Sequence, residues 1–214
     1  MDLQNPLRTV APTVESDVLA VLVRTQRPLT GAAIERLAGR SHAQVLDVLR
    51  RLVKNGLIDG DRVGNAVQYR MNRDHVLAPG VEQMLSGAEE VEVRLREFAA
   101  SCAPVPEAVV LFGSFARRDG DSDSDIDVLA IRPKAVHTDD PQWADVRLGI
   151  AKHLERWTGN RCQVVELSVG ELRQAVSRRE PLIESLRQEG REIFGKTLGE
   201  LLGPRGRLHA QAGG

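Results

Sequence analysis

The chain has 214 residues, of which 42% are hydrophobic, and its formal net charge at pH 7 is −1. This composition is ordinary for a globular protein and excludes neither an enzyme nor a DNA-binding protein. Its two cysteines are too few for a disulfide framework, no apolar run approaches the roughly 20 residues of a membrane span, and the N-terminus lacks a signal-peptide pattern. We therefore expect a cytoplasmic protein with reduced thiols and no membrane partner.

The N-terminal part predicts three short helices after a tail at residues 1–13. Apolar residues at helical spacing indicate the first helix in residues 14–25. Thr30 is placed to cap the start of the second helix, and Gly39 ends that helix. Ser41 opens the third helix, because Gln44 follows three residues later in the capping-box pattern.

A β-hairpin is predicted directly after the third helix. Apolar residues (LID) lead into a glycine-containing turn (GDRVGN) and an alternating segment (AVQYRM). Three short helices followed by a hairpin, together with the segment RRLVKNGLI, resemble the winged helix-turn-helix domain of winged-helix repressors over residues 14–72. The resemblance implies that the third helix enters the major groove of double-stranded DNA.

Six side chains are the DNA contacts that this resemblance implies. The residues expected to read bases are Ser41, His42 and Gln44. Arg40 and Arg51 are expected to contact phosphates, and Arg62 is the contact from the wing. Each could instead belong to a solvated helix face, and the first and third base readers could serve only as the capping box. Winged helices also act as docking or dimerisation modules, and those that bind DNA are commonly homodimers.

The second half of the chain predicts a small sheet domain at residues 81–202. Residues 73–80 read as a linker with a Pro-Gly breaker, and residues 81–103 as a leading helix. Strands and helices then alternate, which predicts a mixed sheet with flanking helices and an overall α+β or α/β class. The strands are expected near 107–112, 125–131, 161–168 and 191–194, and the helices near 141–158, 169–179 and 181–189. The tail at residues 203–214 is predicted to be disordered.

One segment, LFGSFARRDGDSDSDIDVLAI, carries the chemistry. An apolar strand runs into Gly113 and Ser114, and a second strand opens with Asp125 and Asp127. Because residues i and i+2 of a strand face the same way, the two carboxylates share a side. Like charges on one face repel unless a cation lies between them, so the pair predicts a divalent metal site.

The residues before the two aspartates suit a triphosphate. Gly113 allows the backbone to approach phosphate closely, Ser114 can donate its hydroxyl and N–H, and Arg117 can neutralise phosphate charge. The acidic run between the glycine and the aspartates is interpreted as a solvated loop.

This segment resembles the signature of the nucleotidyltransferase superfamily that includes DNA polymerase β, and most closely its minimal nucleotidyltransferase branch. The matching residues are Leu111-Phe112-Gly113-Ser114, ten intervening residues, and Asp125-Ile126-Asp127-Val128. The family usually places a third carboxylate on a later strand, for which Glu166 in CQVVELS is the best match, as a metal ligand or a general base. The family more often has Asp there.

The resemblance implies an enzyme that uses Mg²⁺ or Mn²⁺ and ATP or another nucleoside triphosphate. It would transfer a nucleoside monophosphate, AMP from ATP, to a hydroxyl of a protein, RNA or small-molecule acceptor. Two alternatives remain open: a DNA-binding regulator whose nucleotidyltransferase-like domain only senses nucleotide, and an autoregulated toxin–antitoxin component.

Overall fold

The computed structural model describes residues 1–202, so the predicted C-terminal tail lies outside the described residues. The chain forms two compact units. One contains Asp2 and Gln4–Ala88, and the other contains Met1, Leu3 and the residues from Glu89 onward. Among residues 1–202, no helix has both the length and the apolar character that a membrane crossing requires.

The N-terminal unit consists of short helices and a three-stranded sheet. In chain order its elements are a 3-10 helix Pro6–Thr9, α1 Val14–Arg24, β1 Leu29–Thr30, α2 Gly31–Ala38, α3 His42–Lys54, β2 Ile58–Val63, β3 Ala66–Met71 and α4 Ala78–Leu85. The sheet order is β1-β3-β2, and both pairs are antiparallel. The three predicted helices and the hairpin are therefore present.

The predicted helix caps set the helix ends in this unit. The Ala33 N–H donates to the Thr30 hydroxyl at 3.3 Å, and Gly39 ends α2 in the left-handed conformation at φ 63°. Ser41 and Gln44 form the capping box that opens α3. These local hydrogen bonds satisfy backbone groups that a helix end otherwise leaves unpaired.

Two boundaries differ from the sequence prediction. The predicted turn begins at Gly60, but β2 continues to Val63, so Gly60 lies within the strand. A Cβ on Gly60 would come within 3.1 Å of Val53. The turn contains Gly64, which has a positive φ. The predicted linker contains the start of α4, since Pro79 lies in its first turn, where a missing N–H costs nothing. The predicted leading helix is accordingly two helices.

The second unit is built on a four-stranded mixed sheet. Its elements are α5 Gly87–Ser101 (from Glu89), β4 Ala108–Phe112, α6 Gly113–Arg117, β5 Ile126–Arg132, α7 Pro141–Thr158, β6 Cys162–Ser168, α8 Val169–Arg178, α9 Pro181–Glu189, β7 Arg191–Gly195 and α10 Leu198–Leu202. The strand order is β6-β5-β4-β7, with β5 and β6 parallel and the other pairs antiparallel. The predicted last edge strand is confirmed as β7.

The central strands β4 and β5 anchor this unit. All five residues of β4 are buried, as expected for a strand covered on both faces. On one face, Val110 and Leu129 pack with Leu172 of α8 and Leu186 of α9. Fully burying an aliphatic side chain of this size contributes roughly 1.5–3 kcal/mol. This core fixes the ends of β4 and β5, where the predicted site residues lie.

Candidate active site

Gly113 stands where β4 turns into α6, directly against Asp127. The antiparallel register pairs Phe112 with Asp127, so the residue after β4 meets the start of β5. Gly113 has φ +69°, and a Cβ on it would lie 2.4 Å from the Asp127 Oδ2. Only glycine fits, because the conformation is left-handed and the space is taken by a carboxylate oxygen.

Asp125 and Asp127 form a pair of carboxylates without a cationic partner. Within residues 1–202, no lysine or arginine forms an ion pair with either of them. Burial, then the charges of Asp125 and Glu189, raise the pKa of Asp127 against a smaller opposing effect of Arg117. The site therefore carries excess negative charge, which a bound cation would relieve.

The other two predicted phosphate contacts lie on the short helix α6. The Ser114 hydroxyl donates to the Asp125 backbone carbonyl at 3.4 Å. The Arg117 guanidinium pairs with Asp119 at 2.8 Å and with Glu189 at 2.5 Å. The structure thus brings Gly113, Ser114 and Arg117 together with the two aspartates where β4 ends and β5 begins.

Glu189, the last residue of α9, is a site residue that the sequence did not single out. Its Oε1 accepts the Gly113 N–H at 3.1 Å and its Oε2 accepts from Arg117. Its side chain is only 11% exposed. A carboxylate therefore occupies two donors that were predicted to bind phosphate. In the sequence, Glu189 is one of two acids on α9, and nothing local distinguishes it.

The acidic run before β5 is a hydrogen-bonded loop. Asp121 accepts from the Asp123 N–H at 3.0 Å and from the Ser124 hydroxyl at 2.8 Å. Asn160, which is 2% exposed, donates its amide to the carbonyls of Asp121 and Ser124, both at 3.0 Å. The loop interpretation is supported, and the buried Asn160 holds the loop against the start of β6.

Glu166 is not brought to the aspartate pair. In the parallel register it lies beside Ala130, three residues along the strand from the position next to Asp127. Its carboxylate, 9% exposed, pairs with Arg132 at 2.6 Å and Arg147 at 3.0 Å. These arginines offset the cost of burying a carboxylate, so the placement argues against the predicted metal or base role.

Gln163 occupies the position on β6 beside Asp127. Its side-chain amide Nε2 donates to the Asp125 Oδ2 at 2.7 Å. The signal was present in the sequence, because Gln163 stands as far into its strand as Asp127 does into β5. Recognising it required the register of the parallel pair.

The residues present fit one divalent cation shared with a nucleotide. Asp125 and Asp127 supply hard carboxylate oxygens, and the backbone of Gly113 lies directly against Asp127. Residues 1–202 contain no group of three or more His, Cys, Asp or Glu side chains arranged to hold a metal ion. Burial, then Glu155 and the two aspartates, raise the pKa of the neighbouring Cys162 thiol to about 12.

In the N-terminal unit, most of the predicted DNA contacts are hydrogen-bonded within the unit itself. Arg40 pairs with the buried Asp17 at 2.6 Å. Three further partnerships engage four more of these residues: His42 with Glu35 at 2.8 Å, Ser41 with Gln44 at 2.8 Å, and Arg51 with Glu15.

Arg62 is exposed on β2 and has no ion pair among the described residues. Arg50 and Lys54 of α3 are likewise exposed and form no ion pair within residues 1–202.

Comparison with solved structures finds three partial similarities. A toxin–antitoxin crystal structure with AMP-PNP is 17% identical over 51% of this chain and 78% of its own, with a TM-score of 0.36. A mutant of the toxin–antitoxin MntA-HpeT is 20% identical over 51% and 77%, with a TM-score of 0.35. The archaeal chromatin protein TrmBL2, described with a novel mode of DNA binding, is 18% identical over 82% and 69%, with a TM-score of 0.26. No curated protein matches the chain.

The family model of the nucleotidyltransferase domain matches residues 93–187. The match covers the segment from Gly113 to Asp127 and the strands and helices that carry it. The second unit therefore contains a nucleotidyltransferase domain, and the prediction of a nucleotidyltransferase is confirmed.

Proposed function

We propose that this chain transfers a nucleoside monophosphate, AMP from ATP, to a hydroxyl group of an acceptor. The observation that carries the proposal is the pair Asp125 and Asp127, which lacks a cationic partner within residues 1–202 and of which Asp127 lies against the backbone of Gly113. Two adjacent acids of this kind destabilise the empty site, so they are explained best by a function that brings positive charge with the substrate.

The donor side of the reaction is assigned to four side chains and one glycine. Gly113 admits the triphosphate to the backbone, while Ser114 and Arg117 donate to its oxygens. Asp125 and Asp127 would hold the cation, and a bound Mg²⁺ or Mn²⁺ would neutralise charge on the phosphates and orient them.

The bond changes follow from the donor. The acceptor hydroxyl oxygen forms a bond to the α-phosphorus, the bond from that phosphorus to the β-phosphate oxygen breaks, and pyrophosphate leaves with the electron pair. The hydroxyl proton is taken up by a carboxylate or by water. The contribution of this chain is to fix the donor in line for attack, which is the main protein contribution to phosphoryl and nucleotidyl transfer.

We further propose that the N-terminal unit is a winged helix-turn-helix that binds double-stranded DNA. Three helices are followed by an antiparallel hairpin in the order such a domain requires. The exposed cations Arg50 and Lys54 of α3 and Arg62 of the hairpin lack partners among the described residues, so they are available to contact DNA phosphates. This assignment modifies the predicted set, in which Arg40 and Arg51 held the phosphates.

The test is transfer of label from α-³²P-ATP by the full-length protein with Mg²⁺, alone and with cell lysate supplying acceptors. Labelled protein, RNA or small molecule is expected with the wild type. The label should be lost when Asp125 and Asp127 are both changed to Asn, and kept in an Asp121→Asn control. If no nucleotide and metal combination gives label while the protein binds DNA tightly, the protein is a nucleotide-sensing regulator instead.

A further inference from the structure

The position on β6 beside Asp127 is held by a neutral side chain. Neighbouring residues in a parallel register point to the same face of the sheet, so Gln163 stands beside Asp127 on the face that also carries Asp125. This face of the sheet therefore carries two carboxylates, Asp125 and Asp127, and one amide, Gln163. Gln163 is exposed, so it is not retained at this place by core packing.

The nearby acids are engaged elsewhere. Glu166, the only acidic residue of β6, binds two arginines, and Glu189 binds Gly113 and Arg117. The absence of any three-residue metal cluster within residues 1–202 agrees with this arrangement. The protein consequently offers two anionic ligands at the sheet edge.

The direction of the Gln163 hydrogen bond shows what the amide does. Its Nε2 donates to the Asp125 Oδ2 at 2.7 Å, so one oxygen of that carboxylate is fixed. A carboxylate at position 163 could not donate this hydrogen bond and would repel Asp125. Conversely, two divalent ions about 4 Å apart repel each other and require anionic ligands around both.

Resting on the nucleotidyl transfer proposed above, we propose that Gln163 is a positioning residue that orients Asp125, and that the site binds one divalent cation with the nucleotide instead of two. The uncharged amide of Gln163 is the feature that limits the site to one divalent cation. An aspartate at position 163 supplies the missing anionic ligand and admits a second cation.

The experiment counts bound Mn²⁺ by electron paramagnetic resonance on the full-length protein with saturating α,β-methylene-ATP. We expect one Mn²⁺ per bound nucleotide in the wild type and two in Gln163→Asp. Gln163→Asn, which matches aspartate in size without its charge, should stay at one. Gln163→Ala should also bind one, with about tenfold weaker Mn²⁺ affinity, because the hydrogen bond to Asp125 is lost.

Each other result contradicts part of the account. Two Mn²⁺ in the wild type, or one in Gln163→Asp, overturns the inference and leaves nucleotidyl transfer standing. Unchanged Mn²⁺ affinity in Gln163→Ala overturns the positioning role. If the wild type binds neither nucleotide nor Mn²⁺, the proposed function itself fails, and the inference fails with it.

Discussion

Asp17 of the N-terminal unit and Asp127 of the second unit are acids with opposite surroundings. In the N-terminal unit, Asp17 is 2% exposed and receives hydrogen bonds from Arg8 and Arg40, both at 2.6 Å. In the second unit, Asp127 is partly buried beside two other carboxylates and has no ion pair within the described residues. A buried acid with its own arginines stabilises a fold, whereas one without them costs stability and points to a ligand.

The pKa directions express the same contrast. Burial raises the pKa of Asp17, but the hydrogen bonds from Arg8 and Arg40 outweigh it and leave the pKa below its ordinary value. Burial, Asp125 and Glu189 together leave the pKa of Asp127 above its ordinary value. The charged form is therefore favoured by folding at Asp17 and disfavoured at Asp127.

The largest effect is expected from Gly113→Ala. The added Cβ would lie 2.4 Å from the Asp127 Oδ2, so the carboxylate must move, and nucleotidyl transfer should fall roughly 100-fold or more. The matched control is Gly159→Ala, which has a similar φ of +78° but no atom within 4 Å of the new Cβ. Label transfer from α-³²P-ATP measures both variants. Equal activity of the two would contradict the close approach of backbone and carboxylate as the reason for glycine.

Asp17→Asn should destabilise the N-terminal unit by roughly 2–4 kcal/mol, because it leaves two arginines with a neutral partner. The contribution of Asp17 is present above about pH 4 and is lost as pH falls through its lowered pKa. Hydrogen exchange of residues 14–24 measures the change. The control Asp59→Asn removes only an exposed pair with Arg70 and should cost below about 1 kcal/mol. Equal losses in the two variants would remove the distinction between them.

Glu189→Gln should tighten the binding of a non-hydrolysable ATP analogue by about tenfold. The Glu189 carboxylate competes with phosphate for the Gly113 N–H and the Arg117 guanidinium. A glutamine amide at position 189 is uncharged and therefore competes less for the Arg117 guanidinium. Calorimetry measures the affinity. Glu184→Gln on the same helix is the control, since within residues 1–202 its carboxylate accepts only from Gln188. Weaker binding in Glu189→Gln would mean that Glu189 supports the nucleotide site.

The smallest effect separates exposed from paired arginines in the N-terminal unit. Arg62→Ala should weaken DNA binding a few-fold and lower the salt slope by about 1. Arg40→Ala should instead lower stability, because it breaks the pair with Asp17. Fluorescence anisotropy over a series of salt concentrations measures the first effect and thermal unfolding the second. Loss of DNA affinity in Arg40→Ala without loss of stability would restore it as a phosphate contact.

Local patterns in the sequence were sufficient for several features. The capping box at Ser41 and Gln44 and the shared side of Asp125 and Asp127 involve residues close in sequence, so their geometry follows from one turn or one strand. The same holds for most helix and strand limits. The Pro-Gly pair predicts a break in the chain, but proline is equally suited to a loop and to a first helical turn, and Pro79 lies in the first turn of α4.

Features that depend on distant pairing were not accessible in the same way. Glu166 was chosen as an acid in an apolar strand, but the parallel register with β5 places Gln163 beside Asp127. The bond from Glu189 to Gly113 spans 76 residues, and the pair of Arg40 with Asp17 spans 23. No local periodicity encodes such contacts.

The central claim is that Asp127 is kept at a cost to stability in order to bind a cation with the nucleotide. Thermal unfolding of wild type and Asp127→Asn, each with and without Mg²⁺ and α,β-methylene-ATP, tests it most directly. Because the raised pKa means that the charge lowers stability once pH exceeds it, Asp127→Asn should unfold at a higher temperature than metal-free wild type at pH 7, with no difference near pH 3. Mg²⁺ with nucleotide should stabilise only the wild type. A less stable metal-free Asp127→Asn, or equal stabilisation of both by the ligands, would contradict the account.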